Sequence, residues 1–247
     1  MSLSVILITK NEAHAIGKCL ESVSWADEII VVDSGSTDET VTLCESFGAK
    51  VHEANWPGYG PQKNRALDLA ACDWVLSLDA DETVSPELKQ EILHAISAGD
   101  ADAYSMPRSS SYCGKFMKHG GWWPDRVTRL FRREKGRFSE DIVHEKLVVS
   151  GNTAALSSPL IHYAFTDLEE VLRKVDSYST AGAVMMREKG KKATLFDAVL
   201  HGFWSFFRTY FLKAGFLDGR AGFMLAVSNA EGTYYRYLKR MLLEEKR

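Results

Sequence analysis

The chain has 247 residues, of which 45% are hydrophobic and 26% are charged, so its composition excludes a disordered chain, a fibrous protein and a disulfide-stapled mini-protein. The formal charge of −3 at pH 7 argues against a dedicated nucleic-acid-binding protein, because such proteins carry a strong excess of cations. The charge is unevenly distributed: residues 1–186 hold 18 Lys and Arg against 27 Asp and Glu, a net −9, whereas residues 187–247 hold 12 against 6, a net +6.

Short apolar runs alternate with helix-period segments from residue 4 onward, as in β-α-β units around a mostly parallel sheet. Three of these runs, Ser4–Thr9, Glu28–Asp33 and Trp74–Asp79, are aliphatic and end in polar residues, which is typical of buried parallel strands. Lys50–Glu53 is predicted as a shorter strand. After residue 100 the pattern loosens, and short strands are predicted at residues 102–107, 127–132, 145–149 and 159–163.

Helices are predicted between the first strands from their apolar spacing and their capping residues. The first has Ile16, Cys19, Leu20 and Val23 on one face, with Asn11 as its N-cap. Further helices are predicted from Ser36 or Thr37 to Phe47, over Gln62–Ala71 and over Pro86–Ser97.

The second half of the chain differs in its pattern. Residues 109–124 lack clean periodicity and are rich in Ser, Gly and Trp, so we interpret them as a long functional loop. From about residue 166 the pattern is helical. The predicted fold class is therefore α/β, with a Rossmann-like, mixed but mostly parallel sheet flanked by helices and a helical C-terminal extension.

The four cysteines, Cys19, Cys44, Cys72 and Cys113, form no C-x-x-C pair, so we interpret them as buried thiols of a reducing compartment. The N-terminal apolar run is too short for the core of a secretory signal, and no basic segment precedes it. No uninterrupted apolar run is long enough to span a bilayer. The sequence therefore predicts a cytoplasmic protein.

A cluster of three carboxylates, Asp79, Asp81 and Glu82, lies at the end of the third aliphatic strand. Ligands of open α/β sheets bind beyond the carboxyl ends of the strands, and crowded carboxylates stay ionised when a cation binds them. A divalent ion such as Mg²⁺ suits them, since it takes one or two carboxylates and completes its shell with water and phosphate oxygens. The alternative is a solvated loop that leads into the helix at Pro86.

Two other predicted strands end in polar residues at the same edge of the sheet. Thr9, Asn11 and Glu12 end and follow the first strand, and Asp33 ends the second. A carboxylate at such a position accepts hydrogen bonds from a nucleotide base or a ribose. The alternative is that Asn11 and Asp33 only cap helices and turns.

Four segments follow one another in the first 97 residues: SVILITKNEAHAIGKCLESV, EIIVVDSGSTDETV, GPQKNRALDLA and WVLSLDADE. Together they resemble the glycosyltransferases of family 2, which have the GT-A fold. This resemblance implies binding of a UDP-sugar with Mg²⁺ or Mn²⁺ as the cofactor.

The same resemblance implies a role for each matching residue. Thr9, Asn11, Glu12 and Asp33 would surround the uridine. Asp79 and Asp81 would hold the ribose and the metal-bound diphosphate. The full set implied in nucleotide-sugar binding is Thr9, Asn11, Glu12, Asp33, Lys63, Asn64, Asp79 and Asp81.

Three shorter segments follow in the second half: PDRVTRLFRR at 124–133, RFSEDIVHEKL at 137–147 and GFLDGRAG at 215–222. With them the chain resembles bacterial enzymes that add a β-1,4-linked glucose to a heptose of the lipopolysaccharide inner core. This resemblance implies UDP-glucose as the donor, a lipopolysaccharide-type glycolipid as the acceptor and inversion at the anomeric carbon. Family 2 activities on other polysaccharide or lipid-linked acceptors are the nearest alternative.

Inversion needs a base near the incoming hydroxyl and stabilisation of the departing diphosphate. Family 2 enzymes often carry the base in an E-D or an H-E pair at about this distance after the carboxylate cluster. Both pairs occur here, Glu140-Asp141 and His144-Glu145, and we favour Glu145 over Asp141 as the base. His144 is either a ligand of the metal or diphosphate, beside Asp79 and Asp81, or a structural histidine.

The acceptor side offers arginines and tryptophans. Arg126 and Arg129 belong to a run of six cations that ends at Arg137, and a guanidinium binds anionic groups in a forked geometry. Trp122 and Trp123 precede them, and at most one is expected to stack on a sugar ring. The alternatives are a solvated edge strand for the arginines and a loop anchor for the tryptophans.

The C-terminal segment from residue 187 combines its net charge of +6 with an aromatic helix, which is typical of helices that lie on anionic lipid. Packing against the catalytic domain is the alternative. The apolar stripe comprises Leu195, Val199, Phe203, Phe206, Phe207, Tyr210 and Phe211, and the polar side Asp197, His201, Ser205 and Arg208.

These interpretations predict a domain organisation and a location. Residues 1–165 are expected to form the catalytic domain, with a nucleotide-sugar-binding half at 1–97 and an acceptor-side half at 98–165. Residues 166–247 form the helical region that docks on a membrane. The protein is then peripheral on the cytoplasmic face of the inner membrane.

The turn after the first strand argues against two other classes of nucleotide-binding enzyme. A sugar-phosphate nucleotidyltransferase would carry a G-x-G-x-R-type loop there and a dehydrogenase a G-x-G-x-x-G loop, whereas the sequence is TKNEAHAIG. The non-enzymatic alternative is a nucleotide-sugar-binding module that has lost turnover. The carboxylates at positions 79, 81, 141 and 145 argue against it.

Overall fold

A computed structural model of the chain describes residues 2–139 and 146–245. The chain divides into two compact units. The first, here called the sheet unit, comprises Met1–Arg108 and Arg126–His162, and the second, here called the helical unit, comprises Ser109–Asp125 and Tyr163–Arg247. The division between catalytic and C-terminal regions drawn at residue 165 stays a prediction.

Four parallel strands organise the sheet unit. Three of them are the aliphatic runs predicted from the sequence, and the fourth, Lys50–Glu53, is a short edge strand with mostly exposed residues. They lie in the order β3, β2, β1, β4, so that β1 has a parallel partner on each side. Helices connect them as crossovers. The bounds are β1 Leu3–Thr9, α1 Ile16–Ser22, β2 Glu28–Asp33, α2 Thr40–Ser46, β3 Lys50–Glu53, α3 Tyr59–Leu69 and β4 Trp74–Leu78.

The sheet continues beyond β4 with strands of mixed direction, and β8 pairs with β4 in antiparallel orientation. β5 and β12 form another antiparallel pair, and β9 and β10 form a separate hairpin. The bounds are β5 Glu82–Val84, α4 Pro86–Ala98, β6 Ala103–Tyr112, β7 Lys115–Phe116, β8 Asp125–Arg132, β9 Gly136–Phe138, β10 Leu147–Val149, β11 Thr153–Ala155 and β12 Leu160–Phe165.

The core of the sheet unit lies on both faces of the parallel strands. Successive residues of β1 point to opposite faces, so Val5 packs into one buried apolar cluster and Ile6 into another. The first cluster includes Leu88 and Ile92 of α4, and the second includes Leu67 of α3. Both faces of β1 are therefore covered by apolar side chains.

The helical unit contains three long helices. They are α5 Leu168–Glu188, α6 Leu195–Phe207 and α7 Gly219–Glu245, with a π-helical turn at Arg208–Leu212 and a 3₁₀ turn at Gly215–Asp218 between the last two. This confirms the helical C-terminal region. Within the described residues, no helix combines the length and the apolar character needed to cross a membrane.

Several boundaries differ from the sequence-based predictions. Asn11 is not the N-cap of α1, because the helix begins at Ile16 and Asn11 has a positive φ of 57°. α2 begins at Thr40 and not at Ser36 or Thr37. In both cases the candidate caps instead form hydrogen bonds between the loops after β1 and β2.

The other differences lie after residue 80. β5 was not predicted, because three residues give no readable periodicity and the strand exists through its pairing with β12. Residues 109–124 contain the end of β6 and all of β7, so they are not only a loop. Gly222, in the segment GFLDGRAG, lies inside α7, where an added Cβ would collide with the Gly215 carbonyl, so it permits a close approach of α7 to the 3₁₀ turn.

All four cysteines are free. Cys19, Cys44 and Cys72 are buried and Cys113 is half-buried. Burial raises the pKa of Cys44 to about 11, so its reactive thiolate form is scarce at neutral pH. This agrees with the interpretation of these residues as unpaired thiols, and the compartment stays a prediction.

Candidate active site

Asp33 ends β2 in a closed network of hydrogen bonds. Its Oδ1 accepts from the hydroxyls of Thr9 at 3.0 Å and Ser36 at 2.5 Å. Its Oδ2 accepts from the backbone N–H groups of Gly35 at 2.9 Å and Ser36 at 2.7 Å. Asp33 is 1% exposed, and these bonds use the acceptor positions of an ionised carboxylate. It therefore shapes the loop after β2 from within.

The loop after β1 is held against the loop after β2. The Asn11 Oδ1 accepts from the Thr37 backbone N–H at 2.8 Å, and the Asn11 N–H donates to the Ser36 hydroxyl at 2.8 Å. The Glu12 N–H donates to the Thr40 hydroxyl at 2.8 Å. Asn tolerates the positive φ that this arrangement needs. The two loops form one connected rim at the carboxyl end of the sheet.

Three consecutive polar residues of α3 are buried against different parts of the sheet unit. Gln62 donates through Nε2 to the Ser34 hydroxyl at 3.0 Å. The Lys63 Nζ lies 3.0 Å from Asp79 Oδ1. The Asn64 side chain exchanges two hydrogen bonds of 2.9 Å with the Phe138 backbone. α3 therefore links the end of β2, the end of β4 and the β9–β10 hairpin.

Asp79 follows β4 and lies between two cations. One carboxylate oxygen faces Lys63, and the other lies 2.5 Å from the Arg129 Nη2. Burial raises the pKa of Asp79, but the charges of Arg129 and Lys63 outweigh it and hold the pKa of this carboxyl well below its usual range. Asp79 is therefore an anion at neutral pH, with two protein counterions.

Arg129 holds a second carboxylate at the same place. Its Nη2 lies 2.6 Å from Glu82 Oε1, and Glu82 is fully buried. Glu82 also accepts a hydrogen bond of 3.1 Å from the Asp79 N–H and lies 3.3 Å from Arg108. Burial lowers the pKa of Arg129, and its two carboxylate partners more than reverse this and raise it. This group of charged side chains, here called the ionic cluster, fixes the turn between β4 and β5. It comprises Lys63, Asp79, Glu82, Arg108 and Arg129.

Asp81 is placed differently from Asp79. The two side chains are equally exposed, at 35% each, but Asp81 has a different partner: its Oδ2 lies 3.3 Å from His162 Nε2. His162 belongs to β12, where it pairs with Glu82 of β5. The sequence analysis did not single out His162, because the pairing joins strands that are 80 positions apart. No local signal in the sequence could have connected the two residues.

The donor atoms at Asp81 fit a divalent cation. Within the described ranges 2–139 and 146–245, no three His, Cys, Asp or Glu side chains converge into a metal-binding group. Asp79 already has two counterions, whereas Asp81 and His162 bring one carboxylate and one imidazole together. The carboxylate suits Mg²⁺ or Mn²⁺, whereas the imidazole suits Mn²⁺ better than the harder Mg²⁺, and water and substrate phosphate would fill the remaining positions. Asp81 and His162 would hold the ion.

The residues proposed on the acceptor side have distinct surroundings. Arg126 donates through Nη2 to the carbonyls of Ser105 at 3.0 Å and Leu156 at 2.8 Å, and Arg129 lies in the ionic cluster. In the helical unit, Trp122 packs against Tyr112 and Phe165. Trp123 is 39% exposed, so of the two tryptophans it is the one better placed for a sugar.

The predicted bases Asp141 and Glu145 and the predicted ligand His144 lie outside the described residues. The residues on either side of them are described: the Ser139 N–H donates to the Lys146 carbonyl at 2.8 Å. Phe138, at the end of β9, is bound by Asn64, next to Lys63. The hairpin on both sides of these three residues is thus attached to the helix that holds Asp79.

The sequence matches the family model of glycosyl transferase family 2 over residues 4–156. The chain belongs to glycosyltransferase family 2. It is 32% identical to an uncharacterized glycosyltransferase of Rickettsia felis, over 96% of this chain and 88% of the relative. It is also 32% identical to the lipopolysaccharide core biosynthesis glycosyltransferase LpsC of Rhizobium meliloti, over 93% of this chain and 88% of that protein.

Solved structures confirm the fold. The first 349 residues of S. aureus TarS, in a crystal with UDP-GlcNAc, match all of this chain and 93% of that one, with a TM-score of 0.52 and 15% identity. A second TarS crystal structure gives a TM-score of 0.50. This family 2 chain therefore has the GT-A fold that the order of its motifs predicts.

Proposed function

We propose that this glycosyltransferase moves a hexose, with glucose the first candidate, from a UDP-sugar to an inner-core heptose of lipopolysaccharide, with inversion at the anomeric carbon. The observation that carries the proposal is the arrangement at the end of β4. There Asp79 is held by the cations Lys63 and Arg129, while Asp81 lies beside the imidazole of His162. The relationship to LpsC, a lipopolysaccharide core transferase, supports the acceptor class.

The donor proposal uses the rim formed by the loops after β1 and β2. Thr9, Asn11, Glu12 and Asp33 shape this rim, and Lys63 and Asn64 lie on α3 beside it. TarS, which shares the fold, was crystallised with UDP-GlcNAc, which supports a UDP-sugar and leaves the hexose to be tested. In this proposal Asp79, held rigid by its two counterions, receives the ribose.

The divalent metal is part of the same proposal. Bound at Asp81 and His162, it would neutralise the charge that develops on the departing diphosphate. Asp81 supplies a carboxylate from the turn after β4, and His162 supplies an imidazole nitrogen from β12. We keep His144 as a further candidate ligand.

The chemical step needs a base at the acceptor hydroxyl. We propose that Glu145, or Asp141 in its place, takes the proton of the heptose hydroxyl as its oxygen attacks the anomeric carbon and UDP leaves. Trp122, Trp123, Arg126 and Arg129 are the proposed acceptor-side residues, and among them Trp123 offers an exposed ring to a sugar. Because the acceptor is a lipid, we place the reaction at the cytoplasmic face of the inner membrane.

The test is transfer itself, with UDP-glucose and a defined heptose-containing core oligosaccharide, followed by NMR of the product. We expect a β-glucosyl heptose that forms only with a divalent ion. A product with another hexose would correct the donor, and transfer only to a different polysaccharide or lipid-linked sugar would establish the alternative family 2 activity. UDP-sugar binding without transfer to any acceptor would favour a binding module.

Two variants connect the test to the site. Asp81→Asn and His162→Ala are expected to remove the metal-dependent part of turnover, because each removes one proposed ligand. Asp68→Asn and His94→Ala are matched controls. Asp68 is an exposed carboxylate paired with Arg137, and His94 is an exposed histidine of α4. Full metal-dependent turnover in Asp81→Asn would overturn the assignment.

A further inference from the structure

Helix α6 of the helical unit buries small side chains and exposes large apolar ones, the reverse of a helix that packs on a core. Its small residues, Ala198, Gly202 and Ser205, are buried and recur every three or four positions, so they lie on one face. This face is packed on α7: an added Cβ at Gly202 would lie 3.1 Å from Tyr234, and the Ser205 hydroxyl donates to the Asn229 carbonyl at 3.1 Å. The large apolar residues of α6 are therefore on the outside.

The exposed side of α6, here called the outer face, comprises Phe196, Val199, Leu200, Phe203 and Trp204. Phe196 is 71% exposed and Phe203 is 68% exposed. Exposed apolar side chains continue after the helix at Phe211, Leu212, Phe216 and Leu217. Water-soluble proteins rarely expose so many neighbouring large apolar residues, and such a surface marks a binding partner or a membrane.

The charges around the outer face indicate what covers it. Residues 187–220 contain seven Lys and Arg against three Asp and Glu, a net +4, and one of the three acids, Asp218, is buried. The exposed cations lie before and after α6, at Lys189, Lys191, Lys192, Arg208, Lys213 and Arg220. Aromatic side chains bordered by cations match the headgroup region of an anionic bilayer.

The dimensions and the symmetry argue against the other occupants. α6 has 13 residues and the π-helical turn that continues it has 5, and no described helix has the length and apolar character of a bilayer span, so α6 would lie along the surface. A symmetric dimer through the outer face would bring the same patch of each copy together. The same cations would then approach one another, which is unfavourable for a protein partner and favourable for anionic lipid.

We infer that the helical unit docks on an anionic lipid surface through the outer face of α6, with the cations on the lipid phosphates and the aromatic rings at the level of the headgroups. This inference deepens the proposed function and rests on it for the identity of the membrane. It names the residues that bring the enzyme to a lipid acceptor.

The experiment is flotation of the full chain with vesicles of phosphatidylethanolamine and phosphatidylglycerol, compared with vesicles of phosphatidylcholine alone. We expect binding to the anionic vesicles that weakens with added salt. Phe196→Ser with Phe203→Ser should lower the partition coefficient at least about tenfold, since each ring loses an apolar contact. Lys191→Glu with Lys192→Glu should remove the preference for phosphatidylglycerol.

The matched control is Phe47→Ser, which replaces an exposed aromatic residue of the sheet unit and should leave the partition unchanged. Unchanged vesicle binding in the double Phe variant would overturn the inference. A wild-type dimer that becomes a monomer in that variant, without vesicle binding by either, would assign the face to a second copy and also overturn it.

Binding of UDP-sugar, measured without vesicles, separates this inference from the proposed function. The double Phe variant should bind UDP-glucose as the wild type does. If neither the wild type nor the double Phe variant binds a UDP-sugar, and only the variant fails to bind anionic vesicles, the docking surface is supported and the proposed donor is wrong.

Discussion

The sheet unit and helix α6 of the helical unit bury opposite kinds of side chain. In the sheet unit, large aliphatic residues such as Leu76 and Ile92 are fully buried and the polar residues gather where strands end. In α6 of the helical unit, Ala198 and Gly202 are buried while Phe196 and Phe203 are exposed. An apolar stripe in a sequence therefore predicts a face that is covered by something other than water. Only the packing in the structure shows whether protein or another medium covers that face.

The largest expected effect comes from the ionic cluster of the sheet unit. Arg129→Met leaves the buried Glu82 and its neighbour Asp79 without their shared counterion, which typically costs about 3–5 kcal/mol. We expect this loss in the free energy of unfolding by urea. Arg126→Met, which removes bonds to backbone carbonyls only, is the control, and equal stability of the two variants would contradict a special role for Arg129.

A core truncation in the sheet unit is expected to cost nearly as much. Leu76→Ala removes a fully buried side chain of β4, and such changes typically cost about 2–5 kcal/mol. The measured quantity is again the free energy of unfolding by urea. A loss well under 1 kcal/mol would mean that β4 is not the centre of this core.

The choice of base gives a kinetic prediction. Glu145→Gln should lower turnover about 10²-fold or more, the usual contribution of a general base, with little change in the affinity for UDP-glucose. Asp141→Asn is the paired variant. If Asp141→Asn gives the larger loss of turnover and Glu145→Gln has no effect, the roles of the two carboxylates are reversed.

Acid should weaken the sheet unit through Asp79. The folded pKa of Asp79 lies below its unfolded value, so this carboxylate stabilises the fold above the unfolded pKa of about 4. That contribution is lost as the pH falls from about 4 toward the folded pKa. Asp79→Asn should flatten the pH dependence of the free energy of unfolding in this range, and an unchanged slope would contradict the ion pairs.

The smallest expected effect is the most direct contrast with Leu76. Phe203→Ala removes a larger side chain, but an exposed one, so the free energy of unfolding should change by no more than about 0.5 kcal/mol. Urea unfolding of the chain without vesicles measures it. A loss of about 2 kcal/mol or more would show that Phe203 packs against protein and would remove the contrast between the units.

Much of the fold was predictable from local pattern. Glu28–Asp33 and Lys50–Glu53 are strands to the residue. The first is an unbroken aliphatic run, which is typical of a strand in a parallel sheet, whereas the second has one aliphatic residue, Val51, and lies at the edge of the sheet beside β2. β5 and the starts of α1 and α2 were not predictable in this way. Their positions depend on partners elsewhere in the chain, such as β12 for β5 and Thr37 for Asn11.

The candidate site likewise has residues that the sequence predicted and contacts that it did not. Asp79, Asp81 and Lys63 were predicted from strand ends and ordered motifs, and the structure brings Lys63 and Asp79 into contact. The pairing of Arg129 with Asp79 and Glu82, and of His162 with Asp81, depends on β8 and β12 joining the sheet. Contacts between distant segments leave no trace in the spacing of one sequence.

The most direct test of the account is the affinity of the wild-type chain and of Asp81→Asn for UDP-glucose, measured by calorimetry with and without Mn²⁺. We predict that Mn²⁺ strengthens binding to the wild type at least about tenfold and leaves Asp81→Asn unchanged. Absence of UDP-sugar binding by the wild type with Mn²⁺ present, or an equal Mn²⁺ effect in Asp81→Asn, would contradict the proposed site.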